Sequence, residues 1–540
     1  MLRNFLKTVI DYAVCIYLIL ILAVMPFYNR DGYSHIGTDK SVFFNTTSVY
    51  IGRVLAPITV IYLALLILKL KKEAWKTLKD DLSVTDLFAA GYGLALVISY
   101  LCSDYRSSAL WGSTGWYMGF WPQMFLVLIY FFVSKLWKPR KWVLYLGIAA
   151  SAAVFALGYL NRFGVDPLRM DIGNYSFIST IGNINWYCGY LVSVFFAGAA
   201  LLWQRGAKYP WQKLLLMLYV TVGFGSLVSQ GSDSGIVTLG VVAVVMFCLS
   251  VRDSARMLMF WQEMTLLGCA CVITYMLRTV VLGTNSSHST KIADLPVTGP
   301  MPFIVTLVSL IALACTYASV KKKCYTGKVP DILAKVAVSI LAVGITGFVA
   351  LTAVNTIHPG SIGLLSKYSL FTFSAKWGSS RGATWSAGWR CFAEQNVLHK
   401  LVGIGPDAMS AYLYRDGSAE LLQQVKQIFG SATLTNAHNE WLTVLANTGI
   451  LGLLTFGGMM STAIFRYLRR AGEHRIACAC GICLLAYTVN NIFSFQQAMN
   501  VATIFVVFGM GEVFLRVEKG VRNGTDREKA TSSKLYPDIN

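Results

Sequence analysis

Charged residues are scarce in this sequence. They fill 13% of its 540 positions, and only 26 of those residues are Asp or Glu. Soluble domains carry about 25% charged residues. Hydrophobic residues make up 55% of the chain, and the mean hydropathy is +0.56. This composition excludes an ordinary soluble domain and indicates a membrane protein that crosses the bilayer many times.

The excess of positive charge does not indicate nucleic-acid binding. Lys and Arg number 46, which gives a net charge of +20. These basic residues mostly occupy short loops between apolar runs, which is the pattern that orients membrane proteins. The twelve cysteines lie mainly inside the apolar runs and have no paired or metal-ligand spacing. We therefore expect no nucleic-acid partner and no metal site built from cysteines.

The apolar runs predict the topology. About fourteen are long enough to cross a bilayer, which takes about 17–25 residues. They lie at roughly 9–27, 49–68, 84–102, 118–134, 142–160, 184–203, 211–229, 234–251, 258–282, 300–319, 332–354, 438–464, 476–494 and 497–515. With the N-terminus in the cytoplasm, every second loop is basic, including 69–79, 205–213 and 321–328. The sequence predicts an all-α polytopic protein with both termini cytoplasmic.

One connection is far longer than the others. It spans about eighty residues on the predicted outer side, with helical runs at about 380–398 and 417–429. Loops of this length are usually functional or disordered, and the helical runs argue against disorder. The predicted organisation is membrane helices 1–11 in 1–354, an extracytoplasmic loop at 355–437, membrane helices 12–14 in 438–516 and a cytoplasmic tail at 517–540.

The first helical run of this loop contains a candidate anion site. Ser379 or Ser380 could cap the helix, which would place Arg381 in the first turn and Trp385 one turn further on. Free backbone N–H groups beside a guanidinium suit phosphate oxygens. The tryptophan could anchor the helix at the lipid headgroups or stack on a sugar. The alternative is an amphipathic surface helix whose arginine is merely solvated.

A second candidate lies at the start of the next membrane helix. Asn436 could cap this helix, with His438 in its first turn. The positive helix end disfavours imidazolium, so the ring would stay neutral and able to accept a proton. Gly449 lies about three turns further on, near the same face, and Gly449 and Gly452 would let a neighbouring helix pack closely. The alternative is a histidine that only donates a structural hydrogen bond at the membrane interface.

These residues carry a family resemblance. The element His438-x10-Gly449, with Gly452 after it, resembles the signature of the O-antigen ligase and O-antigen polymerase superfamily. Other segments resemble landmarks of that family in the same order along most of the chain. They are Ala109-Leu110-Trp111-Gly112-Ser113, Gly182-Asn183-Ile184-Asn185, Arg381-x3-Trp385 and Gly403-Ile404-Gly405.

The resemblance implies a C-type, all-helical membrane glycosyltransferase of cell-envelope biogenesis. Such an enzyme would move a glycan from a polyprenyl diphosphate, such as undecaprenyl diphosphate, to an acceptor hydroxyl at the outer face of the bacterial cytoplasmic membrane. Its partners would be this lipid-linked oligosaccharide, a glycan or lipid-glycan acceptor and membrane lipids. It would need no cofactor and no metal, and the outer loops contain no Asp-x-Asp pair or histidine cluster.

The resemblance also suggests roles for individual residues. Arg381 and the helix end would stabilise the leaving diphosphate, and His438 would take the proton of the attacking hydroxyl. This chemistry predicts inversion at the anomeric carbon. Asn183, Asn439 and Glu440 would orient the sugar or the histidine, or would only cap helices. Trp385 and Arg390 would bind substrate.

The chain departs from the family pattern at two places. Many members have an arginine after the early Gly-Ser, where this chain has Trp116. Many also have Ser-Arg at the outer end of a mid-chain helix, but the stretch from Ser229 to Ser234 contains no arginine. Another basic group would then have to hold the lipid diphosphate. The nearest candidates in the sequence are Arg390, Arg106 and Arg278.

Three alternatives for the function stay open at this stage. Ligase and polymerase share these motifs, so the sequence does not separate them. A transporter of lipid-linked sugars would also need many membrane helices, but it should show repeated halves and charges at mid-membrane. No repeat is visible, and the ionisable groups collect on one predicted surface. A non-catalytic partner of a polysaccharide synthase is the third alternative.

Overall fold

The computed structural model describes residues 1–170, 176–204, 209–283, 292–325 and 329–522, and this part of the chain is mostly helical. Its first ten α-helices are α1 (Leu2–Ile19), α2 (Ile36–Asp81), α3 (Val84–Cys102), α4 (Arg106–Trp111), α5 (Phe120–Phe131), α6 (Lys141–Arg162), α7 (Ile184–Trp203), α8 (Pro210–Ser229), α9 (Asp233–Ser250) and α10 (Ser254–Val281). The others are α11 (Met301–Lys321), α12 (Val329–Ile357), α13 (Trp377–Ala393), α14 (Val397–Val402), α15 (Met409–Arg415), α16 (Ala419–Phe429), α17 (Glu440–Leu468), α18 (Arg475–Asn490) and α19 (Ala498–Arg522).

Short irregular elements complete the fold. Turns of π-helix lie at Leu20–Val24 and Phe132–Leu136, and turns of 3-10 helix lie at Met25–Phe27, Ile292–Val297, Gly363–Lys367 and Ser369–Phe371. Two short strands, β1 (Phe177–Ile178) and β2 (Gly182–Asn183), pair antiparallel with Phe177 opposite Asn183. This small hairpin leads directly into α7.

Twelve helices of the described chain are long and apolar enough to cross a membrane. Two shorter apolar helices, Phe120–Leu136 and Arg475–Asn490, occupy the remaining predicted positions. Every predicted apolar run therefore contains a helix, and the predicted all-α polytopic membrane protein is confirmed. One of the fourteen runs is shorter as a helix than expected. The run at 476–494 ends early because the polar residues after Asn490 form a turn.

The centre of the bundle contains α7, α18 and α19. Both α7 and α19 are almost wholly buried, whereas α11 and α12 are largely exposed and lie at the edge. An ion pair joins the central helices to α17, because Arg466 Nη1 lies 2.7 Å from the buried Glu512 Oε2 on α19. The helix α17 also packs against α3 and α18. Its first residue, Glu440, accepts a hydrogen bond from the hydroxyl of Tyr487 on α18 at 2.7 Å, which holds the start of α17 against the centre of the bundle.

We call the connection between α12 and α17, residues 358–439, the interspan segment. It contains α13 to α16, so the two predicted helical runs are present. The first run is interrupted after Ala393, because Asn396 caps a separate helix by accepting the N–H of His399 at 2.9 Å. The segment has its own hydrophobic core, which includes Met409 and Leu421 and extends to Tyr105 beside α4.

Some predicted connections lie partly outside the described residues. These are the loops at 205–213 and 321–328 and the tail at 517–540, which is described only as far as Arg522, at the end of α19.

Candidate active site

His438 lies just before α17 and not in its first turn. The helix begins at Glu440, and Asn439 caps it by accepting the N–H of Leu442 at 3.1 Å. His438 has a φ of 47°, and its N–H donates to Asn436 Oδ1 at 2.9 Å. The predicted cap was therefore wrong. Asn436 closes a turn onto His438, which leaves the capping of the helix to Asn439.

The imidazole of His438 is held without using its nitrogens. The ring meets the edge of Phe495, with the ring centres 5.0 Å apart. Among the described residues, neither ring nitrogen has a hydrogen-bond partner. Burial, helped by the nearby positive charge of Arg381, lowers the pKa of His438 to about 4. The ring is therefore neutral near pH 7 and free to accept a proton, as expected, but burial is the main cause.

Arg381 stands at the start of a right-handed helix that follows an unusual turn. Gly378, Ser379 and Ser380 all have left-handed backbone angles, with φ of 57°, 60° and 69°. The expected serine cap does not form, since no side chain caps α13. The N–H of Ala383 already donates to the carbonyl of Ala375 at 3.1 Å. The helix end therefore offers less to an anion than expected, and the guanidinium becomes the main positive group.

Two nitrogens of the Arg381 guanidinium donate hydrogen bonds to the backbone. Its Nε donates to the carbonyl of Phe493 at 3.0 Å, and its Nη1 donates to the carbonyl of Gly378 at 2.9 Å. Nη2 donates no hydrogen bond to the described part of the chain. Burial lowers the pKa of Arg381, while Asp233 opposes that shift, and the group stays charged at neutral pH. Nη2 can therefore meet an anion beside His438.

Glu440 has the most extensive set of contacts in this region. Its buried carboxylate accepts hydrogen bonds from the hydroxyl of Tyr487 at 2.7 Å, from Gln496 Nε2 at 3.0 Å and from Asn491 Nδ2. Its own N–H donates to the carbonyl of Asn491 at 2.9 Å. Glu440 therefore fixes the start of α17 to the turn that joins α18 to α19.

That turn, residues 491–497, was not predicted to be part of the site. It supplies the carbonyl of Phe493 to Arg381 and the ring of Phe495 to His438. A signal was present, because Asn490, Asn491 and two glutamines interrupt two apolar runs. Buried polar residues need partners, so such a cluster indicates a hydrogen-bonded junction.

Trp385 packs beside the site, against residues that neighbour Arg381. Its ring packs between those of Trp377 and Phe493, with centres 5.4 Å and 6.1 Å away. Its indole Nε1 is buried and has no hydrogen-bond partner among the described residues. Trp385 therefore packs against the residue whose carbonyl holds Arg381. Trp389 differs, since 54% of it is exposed.

Asn183 and Asn439 both cap helices. Asn183 Oδ1 accepts the N–H of Asn185 at 2.9 Å at the start of α7. Asn185 Oδ1 in turn accepts the hydroxyl of Ser232 at 2.9 Å, which links α7 to the segment before α9. Of the two roles considered for these asparagines, capping is the one that their contacts show.

The three arginines nominated to replace the missing family arginine have other partners. Arg390 pairs with Glu394 at 2.9 Å and donates to Ser418 at 3.0 Å, which ties α13 to α16. It lies nine residues beyond Arg381, or about 13 Å along the helix. Arg106 donates to the carbonyl of Leu101 at 2.7 Å, and Arg278 pairs with Asp294 at 2.9 Å.

A different arginine reaches the end of the mid-chain helix. Arg162, the last residue of α6, donates to the carbonyl of Gln230, which follows α8. A Cβ added to Gly231 would lie 3.4 Å from Arg162 Nη2. The sequence did not point to Arg162 because 68 positions separate it from Gln230. The tertiary fold thus supplies a guanidinium where α8 lacks its own.

The two glycines of the signature do not serve helix packing as predicted. Gly449 has φ 68° and ψ −171°, so it breaks the regular helix, and the expected continuous face to His438 is absent. A Cβ there would lie 2.4 Å from the carbonyl oxygen of Leu401 and 2.6 Å from the amide nitrogen of Gly403. At Gly452, an added Cβ would meet Thr448 of the same helix at 1.9 Å. Gly449 therefore accommodates the interspan segment and not a neighbouring membrane helix.

The chain is thus a multi-pass, all-α membrane protein with a histidine and an arginine facing the same junction. Residues 300–457 match the family described as O-Antigen ligase, and this range includes the interspan segment and both residues. The predicted resemblance to the O-antigen ligase superfamily is confirmed over this range. No curated protein matches the chain. The family match supports a membrane glycan-processing function of the ligase or polymerase kind, acting on lipid-linked glycans.

Proposed function

We propose that this protein is a glycosyltransferase that moves or polymerises a polyprenyl diphosphate-linked oligosaccharide onto an acceptor hydroxyl. The observation that carries the proposal is that His438, whose ring nitrogens have no partner in the described chain, lies close enough to the Arg381 guanidinium to feel its positive charge. A base beside an anion-binding group is what transfer from a diphosphate requires. The alternation of basic loops favours an interspan segment outside the cytoplasmic membrane and both termini in the cytoplasm.

The reaction is a single in-line displacement at the anomeric carbon. A bond forms from the acceptor oxygen to this carbon while the bond to the diphosphate oxygen breaks, and the electron pair leaves with the diphosphate. His438 takes the acceptor proton, which its neutral ring allows. Nη2 of Arg381 meets the charge that develops on the leaving group. Displacement in one step inverts the anomeric configuration, and the mechanism assigns no role to a metal ion.

Glu440 and Trp385 act through the turn at 491–497. Glu440 holds Asn491 and Gln496, and Trp385 packs on Phe493, whose carbonyl fixes Arg381. Both are positioning residues, because their contacts lead to groups that hold the arginine or the histidine.

Arg162 is the proposed replacement for the missing family arginine. The residues from Gln230 to Asp233 connect it to the active site, since Arg162 donates to Gln230 and Asp233 interacts electrostatically with Arg381. Two guanidinium groups that interact with the two ends of this short segment suit a diphosphate, which carries two phosphoryl groups. We expect Arg162→Ala to raise the KM for the lipid-linked donor. Arg252→Ala is the control, because Arg252 forms an exposed pair with Asp331.

The test of the proposed function is a glycan profile of cells that carry His438→Ala, beside wild type and a deletion. His358→Ala is the matched control, because His358 is exposed in the same interspan segment. Membrane levels of each variant are measured in parallel. We expect His438→Ala to resemble the deletion and to accumulate lipid-linked short units, while His358→Ala resembles wild type.

Normal long or ligated glycan in His438→Ala would contradict the role of general base. Transport or a non-catalytic partnership would then explain the protein better. An Arg381→Lys variant gives a second measure, because lysine keeps the charge but carries its donors on one nitrogen, whereas Arg381 bonds Phe493 and Gly378 through two different nitrogens. Full activity in that variant would contradict the assigned role of the guanidinium.

A further inference from the structure

Five aromatic rings form a row that starts beside His438. The ring of Phe495 contacts Trp116, and Trp116 contacts Trp186, with centres 5.0 Å and 5.1 Å apart. Trp186 contacts Phe177 at 6.2 Å, and Phe177 contacts Tyr33 at 5.4 Å. We call this set the aromatic row. Its members come from five separate segments of the chain, so they are not the apolar face of one helix.

The rings of the row are not simply core residues. Phe495 is buried, but Trp116, Trp186, Phe177 and Tyr33 are only partly buried. Three of the four contacts outward from Phe495 are edge-to-face. An edge-to-face contact covers one face of one ring and leaves other ring surface available. The row therefore offers a line of apolar ring surface that leads away from the proposed base.

A polar cavity lies under the first two rings of the row. Trp116 and Phe495 line it together with two carboxyl groups, those of Asp407 and Glu440. Its remaining lining is rich in amides, from Gln123, Asn436, Asn447 and Gln496. Its volume is about 30 Å³, which holds a water molecule or two. A hydroxyl or hydroxymethyl group also fits this space, but a whole sugar ring does not.

Asp407 belongs to this cavity and was not predicted as a site residue. It is buried, and its Oδ2 accepts the N–H of Ser113 at 2.7 Å, which ties it to the loop that carries Trp116. Burial raises the pKa of Asp407 to about 7. Its carboxyl group therefore both fixes that loop and presents oxygen to the cavity. Sugars are recognised by such planar acceptors beside aromatic rings, because they combine hydroxyls with apolar C–H faces.

We propose that the aromatic row and its cavity form a glycan-binding track. One sugar stacks on Trp116 and places a hydroxyl or hydroxymethyl group into the cavity, toward Asp407 and Glu440. Further sugars of the chain lie along Trp186, Phe177 and Tyr33. This inference rests on the proposed function for the identity of the reaction, but binding of a glycan is measured without turnover. A polyprenyl chain fits the row less well, because its apolar surface would cover the carboxyl groups and amides that line the cavity and would offer them no hydrogen bond.

The track is tested by direct binding to purified protein in nanodiscs. The probe is a mixture of lipid-free oligosaccharides of about two to six sugars, released by mild acid from the surface polysaccharide of the source strain. Calorimetry compares wild type with Trp116→Ala and Trp116→Leu, and thermal unfolding checks that each variant is folded. Leucine keeps apolar volume without an aromatic face, so it tests the ring itself. Trp389→Ala is the matched control, because Trp389 is exposed outside the row.

We expect both Trp116 variants to bind the oligosaccharides about threefold to tenfold more weakly, the range expected for loss of one stacking contact. Trp389→Ala should bind like wild type. Competition assigns the source of the sugar. If lipid-linked oligosaccharide displaces the free glycan, the track holds the donor chain, and if it does not, the track holds the acceptor.

Wild-type affinity in folded Trp116→Leu would overturn the track, as would the absence of any oligosaccharide binding by the wild type. The track would also be overturned if Trp116→Leu bound glycan-free polyprenyl phosphate more weakly than wild type but bound the glycan equally well. The aromatic row would then be a binding surface for the lipid. The proposed function fails separately, if His438→Ala makes normal glycan. In that case, weakened glycan binding by Trp116→Leu would still support a glycan-binding track.

Discussion

Substitution of Gly449 by alanine gives the sharpest test of the structure around the site. Gly449 has φ 68° and ψ −171°, a backbone region that is nearly restricted to glycine. Forcing another residue there costs about 1–3 kcal/mol. The new Cβ would also lie 2.4 Å from the carbonyl oxygen of Leu401 and 2.6 Å from the nitrogen of Gly403. These are backbone atoms, which yield less readily than a side chain, so overpacking adds roughly 1–3 kcal/mol.

We therefore expect Gly449→Ala to lower the free energy of unfolding by about 2–6 kcal/mol. Damage should reach the site as well, because the break in α17 exposes the carbonyl of Asn447. That carbonyl accepts the N–H of Gly405 and the hydroxyl of Ser99, each at 2.9 Å. A shift there would loosen the attachment of the interspan segment to α3 and α17.

The assay is thermal unfolding of the purified protein in one detergent, with the glycan profile of cells measured in parallel. Gly457→Ala in the same helix is the control, because a Cβ there meets only the ring of Trp441, at 3.7 Å. The alanine should be neutral or should stabilise the helix by up to about 1 kcal/mol. Equal unfolding temperatures for the two variants would refute the role given to Gly449. A continuous helix with a packing glycine would then describe α17 better.

Three further predictions concern the polar groups of the site. The transfer rate should stay nearly constant from pH 7.5 to 5.5, since a His438 pKa of about 4 keeps the ring neutral. A fall of about tenfold in the transfer rate over this range would instead place the pKa of His438 near 6.5. Glu440→Gln should lower the unfolding temperature, because the NH₂ group of the new glutamine would face hydrogen-bond donors of Tyr487 and Asn491, at a cost of about 1–3 kcal/mol. An unchanged unfolding temperature would contradict the hydrogen bonds assigned to Glu440. The raised pKa of Asp407 makes wild type lose stability as pH rises from about 4 to 7. Asp407→Asn should therefore show a flatter dependence of the unfolding temperature on pH. Parallel curves for the two proteins would argue against the raised pKa.

The sequence predicted most of the fold because the bilayer constrains it so strongly. A segment that crosses lipid must satisfy its backbone hydrogen bonds internally, so long apolar runs become helices. The helical runs near Arg381 and at 417–429 were also predictable from local pattern. The end of the run at 476–494 was not, because Asn491 lies outside the helix and hydrogen-bonds with Glu440 of α17.

The site could be predicted only in part. Local motifs named His438 and Arg381, but the helix cap differed from the prediction, because Asn436 closes a turn onto His438 and Asn439 caps α17 instead. Arg162 escaped prediction, since nothing near it in the sequence signals its contact with Gln230. The proposed diphosphate site therefore combines one residue predictable from sequence with one that was not.

By itself, the sequence determined that this chain is an all-α membrane protein, and it supplied the histidine, the arginine and the family resemblance that runs through them. Those properties depend on hydrophobicity and local pattern, which act over a few helical turns. Only the tertiary structure decided what surrounds those residues. The carbonyl that holds Arg381 comes from Phe493, 112 positions away, and the ring that packs on His438 comes from the same turn. Such contacts depend on how helices distant in sequence pack together, and no local pattern encodes that arrangement.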